Sequence, residues 1–199
     1  MGSVKLGDMA TVRSGLVLSR KLSRVPTKYR YPLLNLRSIA PEGYIDTTFL
    51  DVYDAIERLA VDYLTQKNDV VIRLSAPYTS VLIDDETNGM LISSNFVVIR
   101  TDNKSISAEY LFWLLNTSKV KRQIFENTSS NMLGAIKPKF FADFEIDLLP
   151  MEDQKKIAAL NKLARRERFL LTALAREKEK YYATVIDGLQ DKMIRRCGI

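Results

Sequence analysis

Apolar residues recur at three- and four-residue steps through the C-terminal quarter of the chain, at Ile157, Leu160, Leu163, Ala164, Leu170, Leu171, Leu174, Tyr181, Val185 and Leu189. That spacing places them on one side of a helix. The pattern opens at Met151-Glu152-Asp153-Gln154-Lys155-Lys156, directly after Leu148-Leu149-Pro150, and contains no glycine up to Ile186. At about 1.5 Å per residue, a helix over residues 152–194 spans roughly 65 Å. A single small globular body does not cover that length. The stripe therefore predicts a partner helix of similar length, most simply a second copy of the same one.

Upstream, the pattern predicts a mixed α/β body. Val4–Arg13 reads as a short strand ending at Ser14-Gly15, and Tyr31–Arg37 as a strand whose Pro32 suits an edge or a start. The polar, basic segment between them reads as a loop. Alternating acidic and apolar residues over Asp51–Lys67 predict helix-like turns. Asp69–Leu74 and Thr79–Ile83 predict strands split by Ser75-Ala76-Pro77. Asp84-Asp85-Glu86-Thr87-Asn88-Gly89 supplies turn chemistry, after which Met90–Ile92 and Asn95–Arg100 continue a meander. Ser107 is placed to cap a helix from Ala108 to about Glu126, with Glu109 in its first turn and Leu111, Leu114, Leu115, Ile124 and Phe125 toward the sheet. Phe112 and Trp113 read as core residues rather than a base-stacking platform. Asn127–Asn131 reads as a polar loop and Phe144–Leu149 as a last strand. The body, residues 1–150, and the helix, residues 151–199, meet at Pro150.

Charge distribution says more than the net charge of +6. Between Met9 and Pro41 there is no acidic residue, while Arg13, Arg20, Lys21, Arg24, Lys28, Arg30 and Arg37 all fall there. From Glu42 to Asp102 the sign reverses, with eleven carboxylates against Arg58, Lys67, Arg73 and Arg100. Basic residues return at Lys119, Lys121, Arg122, Lys137 and Lys139. Such blocks allow a body to turn a basic face to a polyanion; the plainer reading is an unevenly charged, solvated surface. Arg165, Arg166 and Arg168 beside Glu167 read as solvation of the long helix.

Candidate chemistry is sparse. The chain has no histidine, which removes His-based triads and the usual zinc hydrolase sites, and Cys197 is its one cysteine. There is no Gly-x-x-x-x-Gly-Lys-Ser/Thr loop, no Gly-x-Gly-x-x-Gly, and no adenine methyltransferase signature; Ala76-Pro77-Tyr78 lacks the polar first residue and second proline of the last. Asp84-Asp85-Glu86 is an acidic cluster, but adjacent carboxylates in a turn do not converge on one ion without further ligands. The expectation is a noncatalytic chain with no metal and no cofactor. No run of eighteen apolar residues and no signal-like N-terminus is present, so a cytoplasmic location away from membranes is expected.

Several strings resemble the DNA-specificity (S) subunits of type I restriction-modification systems. Val4-Lys5-Leu6-Gly7-Asp8 followed by Gly15 resembles the family's opening, and Tyr31-Pro32-Leu33-Leu34-Asn35-Leu36-Arg37 with Asn68-Asp69-Val70-Val71-Ile72 resembles core strands of its target-recognition domain. Gly134-Ala135-Ile136, leading through Phe144-Glu145-Ile146 to Leu149-Pro150-Met151-Glu152-Asp153-Gln154-Lys155-Lys156-Ile157, resembles the junction between that domain and its conserved helix. The junction is the most specific of these strings. The family's usual subunit carries two recognition domains and two long helices; this chain has one of each and looks like a half-length form.

The resemblance implies an α+β (mixed α/β) target-recognition domain followed by a long helix that forms an antiparallel coiled coil. It also implies double-stranded DNA, modification methyltransferase subunits and a restriction/translocase subunit as partners, with chemistry left to those subunits. A homodimer paired through Ile157, Leu160, Leu163, Leu170, Leu171, Leu174, Tyr181, Val185 and Leu189 recreates two recognition domains. On that picture Arg20, Lys21, Arg24, Lys28 and Arg30 are candidates for phosphates. Arg13, Arg37, Arg73, Tyr78, Asn95 and Asn131 are candidates for base edges. Lys137 and Lys139, flanking Pro138 in an extended segment, are placed near DNA by the resemblance. Two alternatives stand beside this reading: a protein-interaction module with a coiled-coil helix and no DNA binding, and a recognition domain that assembles with a separate S subunit as a heterodimer.

Overall fold

The computed structural model describes residues 3–129 and 136–196. The chain divides into two compact units, Met1–Lys156 and Ile157–Ile199. In chain order the strands are β1 (Ser3–Lys5), β2 (Ala10–Ser14), β3 (Arg30–Leu34), β4 (Asp51–Asp54), β5 (Val70–Arg73), β6 (Ser80–Leu82), β7 (Leu91–Ile92), β8 (Phe96–Thr101) and β9 (Glu145–Asp147). The helices are α1 (Ala108–Leu115), α2 (Ser118–Ser129), α3 (Pro138–Ala142) and α4 (Met151–Arg196). The class is α+β.

The first unit is built on a four-stranded antiparallel sheet, order β2-β8-β5-β6, and a three-stranded sheet, order β4-β3-β7. Val70, Val71, Ile72 and Phe96 through Ile99 are all inaccessible to solvent. Both faces of β5 and β8 are therefore covered, which is why these strands read as continuous apolar runs rather than alternations. Val71, Phe96 and Val98 join Leu34, Ile83 and Ile92 in a core drawn from both sheets. Helix α1 packs on β5 and β6 and buries Leu111 and Leu115.

A separate two-stranded ladder pairs β1 with β9, Val4 opposite Ile146. It brings together two strings far apart in the chain: the Leu6 amide donates to the Phe144 carbonyl at 2.9 Å. Gly7 permits this approach, since a Cβ there would lie 2.9 Å from the Ala142 carbonyl oxygen. Gly15 is more constrained still, with a Cβ falling 2.2 Å from the Ser93 carbonyl oxygen.

Several sequence expectations are corrected. Asp51–Asp54 is a strand, not helical turns: it pairs antiparallel with β3, buries Tyr53 and exposes Val52. Only a short 3-10 turn, Val61–Tyr63, follows before β5. An alternating pattern suits a strand with one face covered, and β3 supplies the partner. The expected meander breaks because β7 leaves for the other sheet, where it runs parallel to β3. The Val4–Arg13 strand is interrupted by a 3-10 turn at Leu6–Asp8, and the Tyr31–Arg37 strand ends at Leu34, where the Asn35 side chain caps another at Leu36–Ser38.

The helix expected over 108–126 is two helices. Ser107 caps the first, its hydroxyl accepting from the Tyr110 amide at 3.1 Å. The break falls at Asn116, whose side-chain amide donates to the Ser80 carbonyl at 3.1 Å and the Phe112 carbonyl at 3.0 Å. Tying this residue to the edge strand β6 stops α1 there. In α2 Ile124 is buried but Phe125 is exposed, so Phe125 does not face the sheet. Phe112 is buried, and Trp113, partly exposed, lies 5.5 Å from the Tyr110 ring. Of the expected extended segment at 137–139 only Lys137 is extended; α3 begins with Pro138 in its first turn and includes Lys139. The last strand is confined to Glu145–Asp147, with Ile146 buried.

Helix α4 is 46 residues long and continues past Ile186 through Gly188 to Arg196. Gln154 in its first turn is fully buried within the first unit. Within the second unit, Leu160, Leu163, Leu170, Leu171, Leu174, Tyr181, Val185 and Leu189 are all exposed, and Ile157 is half-buried. Leu160, Leu163, Ala164, Leu170, Leu171 and Leu174 line one shallow, mostly apolar surface, with Arg166 and Glu167 among them. Among the described residues no helix is long and apolar enough to cross a membrane.

Candidate nucleic-acid interface

The basic segment after β2 is held down along its length. After a 3-10 turn at Leu18–Arg20, the Ile56 amide donates to the Lys21 carbonyl and the Ser23 amide to the Asp54 carbonyl, at 2.9 and 2.8 Å. The Thr27 amide donates to Asp54 Oδ1 at 3.0 Å and its hydroxyl to the Ala55 carbonyl at 2.8 Å. A loop in the sequence reading is thus zipped onto the end of β4. Arg20, Arg24 and Lys28 project from it exposed. Arg20 and Arg24 have no side-chain partner among the described residues, and the Lys28 ammonium lies 5.1 Å from the centre of the Tyr29 ring.

The other cations of the basic block meet carboxylates. Lys21 pairs with Glu57, and that bond holds the ammonium above its ordinary pKa. Arg30 lies 3.8 Å from Asp54, its cross-strand partner, and Arg37 pairs with Asp51. Arg13, on β2, pairs with Asp62 at 2.7 Å and lowers the pKa of that carboxyl. Its Nε and Nη2 atoms are buried without a hydrogen-bond partner among the described residues, so Arg13 is largely drawn into the body. The adjacency of a basic and an acidic block was the one sequence signal for these pairs. The acidic partners themselves were not foreseen.

Of the base-edge candidates, two share one place. Arg73 ends β5 and Asn95 immediately precedes β8, its neighbour; the Leu74 amide donates to the Asn95 carbonyl at 2.9 Å. Arg73 Nη2 donates to the Ser75 hydroxyl at 3.3 Å, and Asn95 is exposed. Tyr78 is not brought to this surface: it is buried, at a φ of +53°, with only 8% of its area accessible. Lys137, just before α3, and Lys139, on it, are both exposed, and α3 packs against β2. Asn131 lies outside the described residues. Of the acidic turn, Asp84 accepts from the Thr87 amide at 3.0 Å, and Asp85 pairs with Lys67 at 2.7 Å. Among the described residues no group of three potential ligands is placed to hold a metal ion.

One residue that holds the body together was missed outright. Gln154 donates from its amide nitrogen to the carbonyls of Ser105 and Leu149, both at 2.9 Å, and accepts from the Ser107 amide at 2.9 Å. It ties the first turn of α4 to the segment that caps α1. In the sequence it stood only as one letter of the junction string.

The first unit thus raises cations on a loop held to β4 and at one sheet end, and the second unit is a long helix with exposed apolar residues. The family model described as type I restriction modification DNA specificity domain matches residues 1–165. This chain belongs to that family, whose specificity subunits are noncatalytic. Among solved structures it is similar to the HsdS subunit from Thermoanaerobacter tengcongensis, with a TM-score of 0.57 and 16% identity over 83% of this chain and 37% of that one. It is also similar to a chain from a structure of complex assembly and conformational transition of the type I R-M system, with a TM-score of 0.60 and 17% identity over 89% and 41% of the two chains. The S subunit from M. genitalium matches with a TM-score of 0.50 and 14% identity over 83% and 40%. The chain spans about two fifths of the length of these structures. A search of curated protein sequences finds no match.

Proposed function

We propose that this chain is a half-length recognition subunit of a type I restriction-modification complex. Its body, residues 1–150, reads one half of a split site in double-stranded DNA. Its helix, residues 151–199, pairs antiparallel with that of a second copy and docks modification methyltransferase subunits, with a restriction/translocase subunit joining the same cytoplasmic assembly. Arg20, Arg24 and Lys28 meet phosphates, while Arg73 and Asn95 are the base-edge candidates best placed to work together. The chain needs no cofactor of its own, because methyl transfer and cleavage belong to the partners.

The observation that carries this reading is the stripe on α4: Leu160, Leu163, Leu171 and Leu174 each keep more than half of their area exposed. Apolar surface of that extent along a soluble helix calls for a partner. A second chain, paired through the stripe, places two recognition bodies on one assembly. Leu174→Glu tests it, because a charge buried in the seam costs on the order of 3 to 5 kcal/mol. The variant is expected to sediment as a monomer, to lose tight binding to the two-part site and to keep weak binding to one half, since effective concentration rather than contact is lost. A wild-type chain that is monomeric across micromolar concentrations, or a variant that binds the full site as tightly as wild type, overturns the paired-helix reading.

The engagement of Lys21, Arg30 and Arg37 by carboxylates favours a second reading, in which the body binds protein and the basic block is incidental. Failure to bind any duplex at any salt concentration would select it.

A further inference from the structure

The cations of residues 20–37 and the carboxylates of residues 51–57 are laid side by side by one piece of sheet. Antiparallel pairing sets Arg30 opposite Asp54. Where that ladder gives way to the Leu22–Ala55 bridge, Lys21 reaches Glu57; at the other end, where Asp51 stands opposite Leu33, Arg37 reaches Asp51. The side chains of Lys21 and Glu57 are 37% and 56% exposed, and those of Arg37 and Asp51 67% and 43%. Exposed pairs of this kind contribute little to stability. Their larger effect is on the field that the strip presents to an incoming polyanion.

Resting on the DNA-recognition reading above, we propose that Glu57 and Asp51 are built-in counter-charges, which cap the sequence-independent affinity of the strip by keeping Lys21 and Arg37 from acting as free phosphate ligands. Of six cations between residues 20 and 37, three are paired, and Arg20, Arg24 and Lys28 remain. A phosphate approaching a paired cation meets the adjacent carboxylate, so that contact releases no net counterion. For a chain that searches much non-cognate DNA, fewer free contacts mean weaker trapping at wrong sites. Arg30 and Asp54 are cross-strand partners and the other two pairs flank the same β3–β4 ladder, so the balance is set by its register, while the free cations lie on the loop between β2 and β3.

The test uses the full-length chain and a random-sequence duplex over a salt series. With about 0.9 of a counterion released per phosphate contact, wild type should show a slope of roughly −3 per chain in log affinity against log salt, where six free cations would give roughly −5. Glu57→Gln should steepen the slope by about one and tighten binding roughly three- to tenfold at low salt. Arg24→Gln should flatten the slope by about one, and Lys21→Gln with Glu57→Gln should restore the wild-type slope. Glu86→Gln, on the turn between β6 and β7, controls for total charge and should leave the slope unchanged.

Glu57 has Lys21 as its side-chain partner and is exposed, so its substitution leaves the fold intact; unchanged melting confirms this. Duplex binding with the same slope in wild type and Glu57→Gln overturns the counter-charge proposal alone, as does an equal gain from Glu86→Gln. No duplex binding by wild type or any variant overturns the DNA reading with it.

Discussion

Asp69 is fully buried at the foot of β5, where a lone carboxylate would be prohibitively unstable. Arg100 answers it with two bonds, Nε to Oδ1 and Nη2 to Oδ2, both at 2.6 Å, and the Gln66 amide adds a third at 2.8 Å. The same bonding raises the guanidinium above its ordinary pKa. Removing one member of such a pair leaves the other uncompensated. Asp69→Ala is therefore expected to cost about 3 kcal/mol, seen as a lower urea midpoint at an unchanged denaturant slope. A loss under about 1 kcal/mol would mean that water solvates Arg100 as well as Asp69 does. Neither residue stood out in the sequence, because the two are 31 positions apart and meet only through the β5–β8 register, Val70 opposite Ile99. Arg13 carries the same lesson for function: its residue type suggested base readout, yet its pairing with Asp62 and the burial of its Nε and Nη2 were decided by where β2 lies.

At the scale of elements, local pattern located strands and helices well where one face is covered by a fixed neighbour, and less well where two readings share a pattern. Asp51–Asp54 alternates as an edge strand does, but its carboxylates also suit a first helical turn; β3 made the choice. Asn116 is as acceptable within a helix as at its end, and its bonds to Ser80 ended α1. Gln154 has the largest consequence of this kind. Replacing it with alanine strands a buried amide and two carbonyls, so Gln154→Ala is expected to destabilise the body by about 2 to 3 kcal/mol. Hydrogen exchange should rise first in the Ser105–Tyr110 segment and the opening turn of α4. Uniform exchange at a wild-type rate in both places would remove Gln154 from its role as a tie.

At the scale of the whole molecule, the proposed pairing of two copies through antiparallel helices would relate them by a two-fold axis, and a two-fold protein reads a two-fold site. Duplexes selected from a random pool by the wild-type chain should therefore share a split palindrome, its halves separated by a spacer of constant length. Selected sites with two unrelated halves would favour assembly with a different S subunit. Sites with a single half would favour a chain that acts alone. The matched solved structures are more than twice as long as this chain.

What the sequence determined by itself is whatever a few consecutive residues encode. The period of the stripe after Pro150 set a long helix with one apolar side, and the junction string from Phe144 to Ile157 marked where the body yields to it. The β-branched runs at Val70–Ile72 and Phe96–Ile99 set two strands, and Ser107 set a helix start. What only the tertiary structure decided is which distant residues meet: Arg30 with Asp54, Lys21 with Glu57, Asp69 with Arg100, Gln154 with Ser107. Periodicity is written within one or two turns of chain, whereas pairing depends on register between strands tens of residues apart. A one-residue slip reverses every face and leaves local pattern unchanged. The basic block was therefore visible from the first reading, and the number of its cations left free was settled by the sheet.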